Sequence, residues 1–269
     1  MKILLALLFF CSQAQANVQR MTALVGSQYE TIHSQIIDHD YHIFVQLPKS
    51  ATTGTKSRWP VIYLLDGGNT FPMLASYHKY LNWPGDTPEM ILVGISYGTD
   101  DWRQGNRRST DYTLPAEGRD HYGGAALFHR FLTEELMPWV ERTYPADPNQ
   151  RLLFGHSLGG QFALYCAMFK PDTFAGIIAS NPAIHNNTAS FMQSPPATQS
   201  QPKLVVVQAD GDDPRYQQAR QQWLDYWQQH PHHWRQQVIT VPGHNHMSSV
   251  PAAFRQGMMW LYPPKPTTE

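Results

Sequence analysis

Short, unbroken apolar runs recur along the chain at 60–65 (PVIYLL), 90–95 (MILVGI), 151–154 (RLLF), 174–179 (FAGIIA) and 204–208 (LVVVQ). Runs of this kind suit strands buried on both faces, as in parallel sheets covered by helices. Residues 29–37 and 42–47 are expected to form an antiparallel edge pair turning at Asp38-His39-Asp40, and 236–241 the last strand. Between the runs lie helix-period stretches. Over 124–142, Phe128, Phe131, Leu132, Leu136, Trp139 and Val140 recur at spacings near three and four, a stripe that faces a core. Pro138 is expected to kink or tighten the final turn of that helix. Residues 158–169, 214–229 and 249–261 are the other helical candidates. Alternating strands and helices with short connections predict an α/β protein: a doubly wound, mostly parallel sheet with antiparallel N-terminal edge strands. In such sheets the chemistry gathers at the carboxyl ends of the strands.

The two ends and the composition narrow this picture. Residues 1–16 (MKILLALLFFCSQAQA) have the layout of a secretory signal peptide, so residues 17–269 are expected to form one catalytic domain of an exported protein, periplasmic or secreted. The apolar stretch is too short to span a membrane. Bulky Phe9 and Phe10 before Cys11 argue against lipidation, and hence against a stable membrane anchor. A formal net charge of −1, with both signs dispersed, offers no basic stripe for nucleic acid or anionic lipid. Small molecules are the expected partners. Without the leader Cys166 is the remaining cysteine, inside an apolar run where a buried, inert thiol is expected.

Candidate chemistry centres on Gly155-His156-Ser157-Leu158-Gly159, a G-x-S-x-G pattern lying between an apolar run and a helix-compatible stretch. A serine held at strained dihedrals on such a bend leaves no room for side chains two positions away, which accounts for Gly155 and Gly159. The following helix aims its amino terminus at the serine, so the Leu158 N–H is a candidate oxyanion donor. A second donor is expected at Gly67 or Gly68, just after an early central strand. A serine hydroxyl needs a base, and the thirteen histidines compete for that role. Chain order favours the segment VPGHNHMSSVP, with His244 and His246; His246 is preferred. The acid is expected just past the 204–208 strand, where Asp213 is the first choice and Asp212 and Asp210 remain open. Asp212 or Asp213 could equally cap the helix beginning at Pro214. Arg108 and Trp102, in a loop between central elements, are candidate substrate contacts. The HPHHW cluster at 230–234 lacks a carboxylate at ligand spacing, and neither metal nor organic cofactor is expected.

Taken together, FVQLP, PVIYLLDGGNTF, ILVGISYG, RRSTDYTLP, EELMPWVERTYP, GHSLGG and GHNHMSSVP resemble the esterase family of α/β-hydrolases. That family includes siderophore esterases, feruloyl esterases, S-formylglutathione hydrolases and antigen 85 acyltransferases. The resemblance implies an α/β-hydrolase fold, a serine esterase working through an acyl-enzyme, and His246 as the histidine, from the match at Asn245-His246-Met247-Ser248. It also implies two rivals: an acyltransferase of the antigen 85 type, or a silent binding protein on a hydrolase scaffold. Some relatives work with a Ser-His dyad, which would make the acid dispensable. Where members near the siderophore esterases carry paired tryptophans after a Ser-Pro turn, this chain has Asn181-Pro182-Ala183-Ile184-His185, which weakens the expectation of catecholate packing.

Overall fold

The structure is a computed structural model that describes residues 24, 26–53 and 57–263; the expected leader at 1–16 lies outside them. Eight strands form one sheet: β1 (Ser27–Ser34), β2 (His39–Gln46), β3 (Trp59–Leu64), β4 (Ile91–Ser96), β5 (Ala146–His156), β6 (Gly176–Ser180), β7 (Lys203–Gly211) and β8 (Arg235–Asn245). Their order is β1-β2-β4-β3-β5-β6-β7-β8, with β1 and β2 antiparallel and every pair from β4 to β8 parallel. This is the doubly wound, mostly parallel sheet that the apolar runs predict.

Side-chain alternation explains why those runs are continuous. Val61, Tyr63 and Leu65 enter the core on one face, while Ile62 and Leu64 enter the core on the other; β7 divides likewise, Leu204 and Val206 against Val205 and Val207. One face is covered by α3 (Ala125–Arg130), α4 (Met137–Thr143), α5 (Leu158–Phe169) and α6 (Pro214–Gln229), the other by α1 (Gly67–Asn82) and α7 (Val250–Leu261). Both faces are therefore dry, and a strand that alternated with polar residues would bury them.

Three local departures have physical causes. The edge hairpin turns earlier than expected: β1 ends at Ser34, Asp38 takes a left-handed conformation (φ 56°), and its N–H donates to the Ser34 carbonyl at 2.9 Å. The single helix expected over 124–142 is divided by a π-helical stretch, Phe131–Leu136, directly before α4. Pro138 has no N–H for the Glu134 carbonyl, so the ladder must change register there. Helix α1 is absent from the sequence-based expectations, because Gly67-Gly68 and the internal Pro72 punctuate its sequence like a loop. A four-residue helix, α2 (Arg108–Asp111), orders part of the long loop after β4.

Candidate active site

Ser157 sits at the carboxyl end of β5 with φ 59° and ψ −116°, a conformation L-residues rarely adopt. The bend is held by hydrogen bonds on both sides: the Ser157 N–H donates to the Ser180 carbonyl at 2.9 Å, and the Ser157 carbonyl accepts from Ala183 N–H at 3.0 Å. Gly155 is required here, since a Cβ at that position would lie 2.0 Å from the Gly159 carbonyl oxygen. Gly159 is under much less pressure; its Cβ would meet Leu65 at 3.4 Å, an ordinary contact. Leu158 opens α5, so its N–H precedes the first intrahelical bond and has no acceptor within the helix.

A second helix begins beside it. Asp66, also left-handed (φ 54°), hands β3 over to α1, whose first residues are Gly67 and Gly68. The N–H groups of both likewise precede the helical ladder. A Cβ on Gly67 would lie 2.4 Å from the Ile95 backbone nitrogen, so glycine is what lets this turn pack against β4. The turn is braced from α2. Arg108 grips the Asp66 carboxylate with two hydrogen bonds, Nε to Oδ1 at 2.7 Å and Nη2 to Oδ2 at 3.0 Å, and the Asp66 N–H donates to the Tyr112 hydroxyl at 3.1 Å.

His246 follows β8 in a loop that explains the Asn-His-x-Ser spacing. The Asn245 side chain accepts from the Met247 and Ser248 N–H groups at 3.0 and 2.9 Å, while Ser248 Oγ accepts from Asn245 N–H at 3.0 Å. Ser249 Oγ donates to the His246 carbonyl at 3.0 Å, and buried Asn181 ties this loop to β7 by accepting from Ala209 N–H at 2.7 Å. The His246 ring lies 4.8 Å from that of His156, the residue preceding Ser157, and 4.8 Å from Tyr216 on α6. His156 is neutral: burial, reinforced by His246, lowers its pKa to about 3, and its Nδ1 shares a hydrogen bond with Ser180 Oγ at 3.0 Å.

Of the three aspartates expected as candidates for the acid, Asp212, and not the first choice Asp213, is the one that meets His246. Asp212 Oδ1 lies 2.8 Å from His246 Nδ1. Asp213 instead caps α6, accepting from Arg215 N–H at 2.8 Å and pairing with the Arg215 guanidinium, which holds its carboxyl down to about 2. Asp210 links the carboxyl ends of β7 and β8 by accepting from the N–H groups of Gly243 and His244. Burial of Asp212 opposes its ionisation, but the His246 hydrogen bond and the charge of Arg220 prevail, so its carboxyl titrates below the usual range. A carboxylate only accepts, so Nδ1 of His246 carries the proton and Nε2 is left as the basic nitrogen.

Ser157 borders a cleft of about 390 Å³ that is also lined by Asp66, Gly68, His156 and Arg108, with Met73, Met247 and Val250 as its apolar wall. Arg108 is thus in the cleft, but its fork is committed to Asp66. Trp102 is not in the cleft wall; it stands 69 % exposed with the Arg103 guanidinium 4.7 Å over its ring. The remaining histidines of the 230–234 cluster bond to backbone carbonyls: His230 to Tyr226, His232 to Trp234 and His233 to Ala167. Among the described residues no group of three or more His, Cys, Asp or Glu is arranged to hold a metal ion. Asp66, Tyr216 and Arg220 are site residues the sequence did not single out. Only Arg220 left a signal, three positions before Trp223 on the apolar side of α6.

A bent serine between strand and helix, two unfilled helix amino termini beside it, and a histidine–aspartate pair from later loops define an α/β-hydrolase. The chain belongs to the esterase family: residues 34–256 match the family model described as "Putative esterase". It is similar to the ferri-bacillibactin esterase BesA of Bacillus subtilis, 35 % identical with 60 % of each chain covered. It is also similar to the siderophore enterobactin esterase of Emericella nidulans, 31 % identical over 58 % of this chain and 57 % of that one. The matched regions thus span about three fifths of these relatives' length. Among solved structures, the BES protein from Bacillus cereus shares the fold, with a TM-score of 0.72 at 23 % identity, covering 87 % of this chain and 94 % of that one.

Proposed function

We propose that this protein is an exported serine esterase that hydrolyses carboxylic esters, thioesters and aryl esters included, through an acyl-enzyme intermediate. The observation that carries the reading is the His246–Asp212 pair, 2.8 Å apart, with the His246 ring against the residue that precedes Ser157. Membership of the esterase family and the names of its relatives support ester bonds as the target.

In this mechanism His246 Nε2 takes the Ser157 proton as Oγ attacks the ester carbonyl. The developing oxyanion is received by the N–H of Leu158 and by Gly67 or Gly68, at the positive ends of α5 and α1. The imidazolium, stabilised by Asp212, then protonates the leaving alcohol. Water repeats the sequence on the acyl-enzyme and frees Ser157. Turnover of p-nitrophenyl butyrate tests the reading: Ser157→Ala should lose at least about a thousandfold in kcat, and unchanged turnover would refute it. Export is tested separately by fractionating expressing cells and sequencing the mature amino terminus, expected near Asn17.

A further inference from the structure

Helix α6 (PRYQQARQQWLDYWQQ) presents mostly polar side chains to solvent, yet Arg220 shares its buried face with Ala219, Trp223 and Trp227 and is only 1 % exposed. A guanidinium in such surroundings is costly unless a counter-charge meets it. That counter-charge is Asp212: Arg220 Nη1 and Asp212 Oδ2 form an ion pair at 2.6 Å, and neither these two atoms nor Arg220 Nε and Nη2 have another polar partner in hydrogen-bond geometry among the described residues. The other oxygen of the same carboxylate is the one that meets His246, and it also accepts from Asp213 N–H at 2.8 Å. One fully buried carboxylate therefore bridges a fixed cation and the imidazole.

We infer that Arg220 is a positioning residue for the hydrolysis, anchoring Asp212 by its second oxygen and sharing its negative charge, and so setting the orientation and the charge that the carboxylate presents to His246. The inference rests on the reading of Ser157 as nucleophile and His246 as base. A base works best when its proton affinity matches the operating pH. A buried aspartate with no other counter-charge would favour the imidazolium and leave less free base.

The groups that face His246 from other elements do not replace this balance. His156 at the end of β5 is neutral, Tyr216 comes from α6, and His185 lies behind Tyr216 with ring centroids 4.7 Å apart. Arg108, from α2, acts on His156 electrostatically but is paired with Asp66. Asp213 and Arg215 neutralise each other at the surface. The carboxylate that touches the imidazole is Asp212, and the cation that touches Asp212 is Arg220.

The test is the pH dependence of kcat/KM for p-nitrophenyl butyrate in wild type, Arg220→Met, Arg220→Lys and the double variant Asp212→Asn/Arg220→Met. In Arg220→Met the acid limb should move up by about one pH unit and kcat should fall roughly tenfold; Arg220→Lys should restore the limb. Should Arg220→Met fail to fold, the double variant, which has neither buried charge, is compared with Asp212→Asn. It should be no slower than Asp212→Asn, because Arg220 acts only through the carboxylate. An acid limb that stays in place while only thermal stability falls, or a double variant slowed by the product of the single losses, would overturn the inference. Fluorophosphonate labelling of wild-type Ser157 is run alongside. Labelling with an unmoved limb defeats only the role of Arg220, whereas an unlabelled wild type defeats the underlying reading and the inference with it.

Discussion

Asp212 and His246 stand 34 residues apart in sequence and meet at 2.8 Å, while Asp213, one position further on, turns away to cap α6. Two adjacent aspartates thus serve different ends. Asp212→Asn should lower kcat by about 10²- to 10⁴-fold, because the imidazole loses its tautomer and its counter-charge. Asp213→Asn should change kcat by less than about twofold, since asparagine is a competent cap. Steady-state kinetics on the two variants checks the assignment; the reverse order would restore Asp213 as the acid.

The bend at Ser157 makes unequal demands on its two flanking glycines. Gly155→Ala places a Cβ 2.0 Å from the Gly159 carbonyl and should cost more than about 4 kcal/mol. Gly159→Ala meets its nearest neighbour at 3.4 Å and should cost less than about 1.5 kcal/mol. Urea unfolding midpoints of the two variants decide this.

Arg108 faces the cleft, but both of its hydrogen bonds to Asp66 brace the turn that begins α1. Its desolvation is outweighed by Asp66, which raises its pKa and keeps it charged. Arg108→Met should therefore lower kcat roughly tenfold or more even for an uncharged ester, by loosening the oxyanion turn. A loss confined to anionic esters, seen in KM alone, would instead assign Arg108 to substrate recognition.

Acid stability should be limited in part by His78, a buried residue of α1 bonded to the Pro88 carbonyl at 3.1 Å. Burial lowers its folded pKa to about 4, against 6.5 for an unperturbed histidine. The unfolded chain therefore takes up this proton first as pH falls, so the stabilisation is complete above pH 6.5 and lost progressively toward pH 4. The loss amounts to about 3 kcal/mol. Denaturation curves at about pH 7 and about pH 4.5 should show a smaller pH dependence for His78→Gln than for wild type, and equal slopes would contradict the assignment.

Much of this architecture was legible because two-sided burial leaves a plain record: residues 61–64 of β3, 91–93 of β4 and 204–207 of β7 face the core on both sides and are hydrophobic at every position, and α5 and α6 were placed to the residue. The bend at Ser157 and the loop around His246 were likewise marked by local patterns, the flanking glycines of one and the Asn-x-x-Ser spacing of the other. What stayed hidden depended on direction in space. Asp212 and Asp213 are chemically alike and adjacent, and only the turn into α6 decides which one points inward. Helix α1 was masked by residues whose usual role is to end helices, although Gly67 is there for close packing against β4. Arg220 shares its helical side with Trp223, but its neighbours in sequence are mostly glutamines, and it is the docking of α6 that turns it inward.

The central claim is that His246 activates Ser157, and the time course of covalent labelling by a fluorophosphonate, followed by intact mass and peptide mapping, tests it most directly. Wild type should take up one adduct on the peptide containing Ser157, Ser157→Ala none, and His246→Ala should react at least about a thousandfold more slowly. A wild-type protein that stays unlabelled, or a His246→Ala variant labelled at the wild-type rate, would contradict the account.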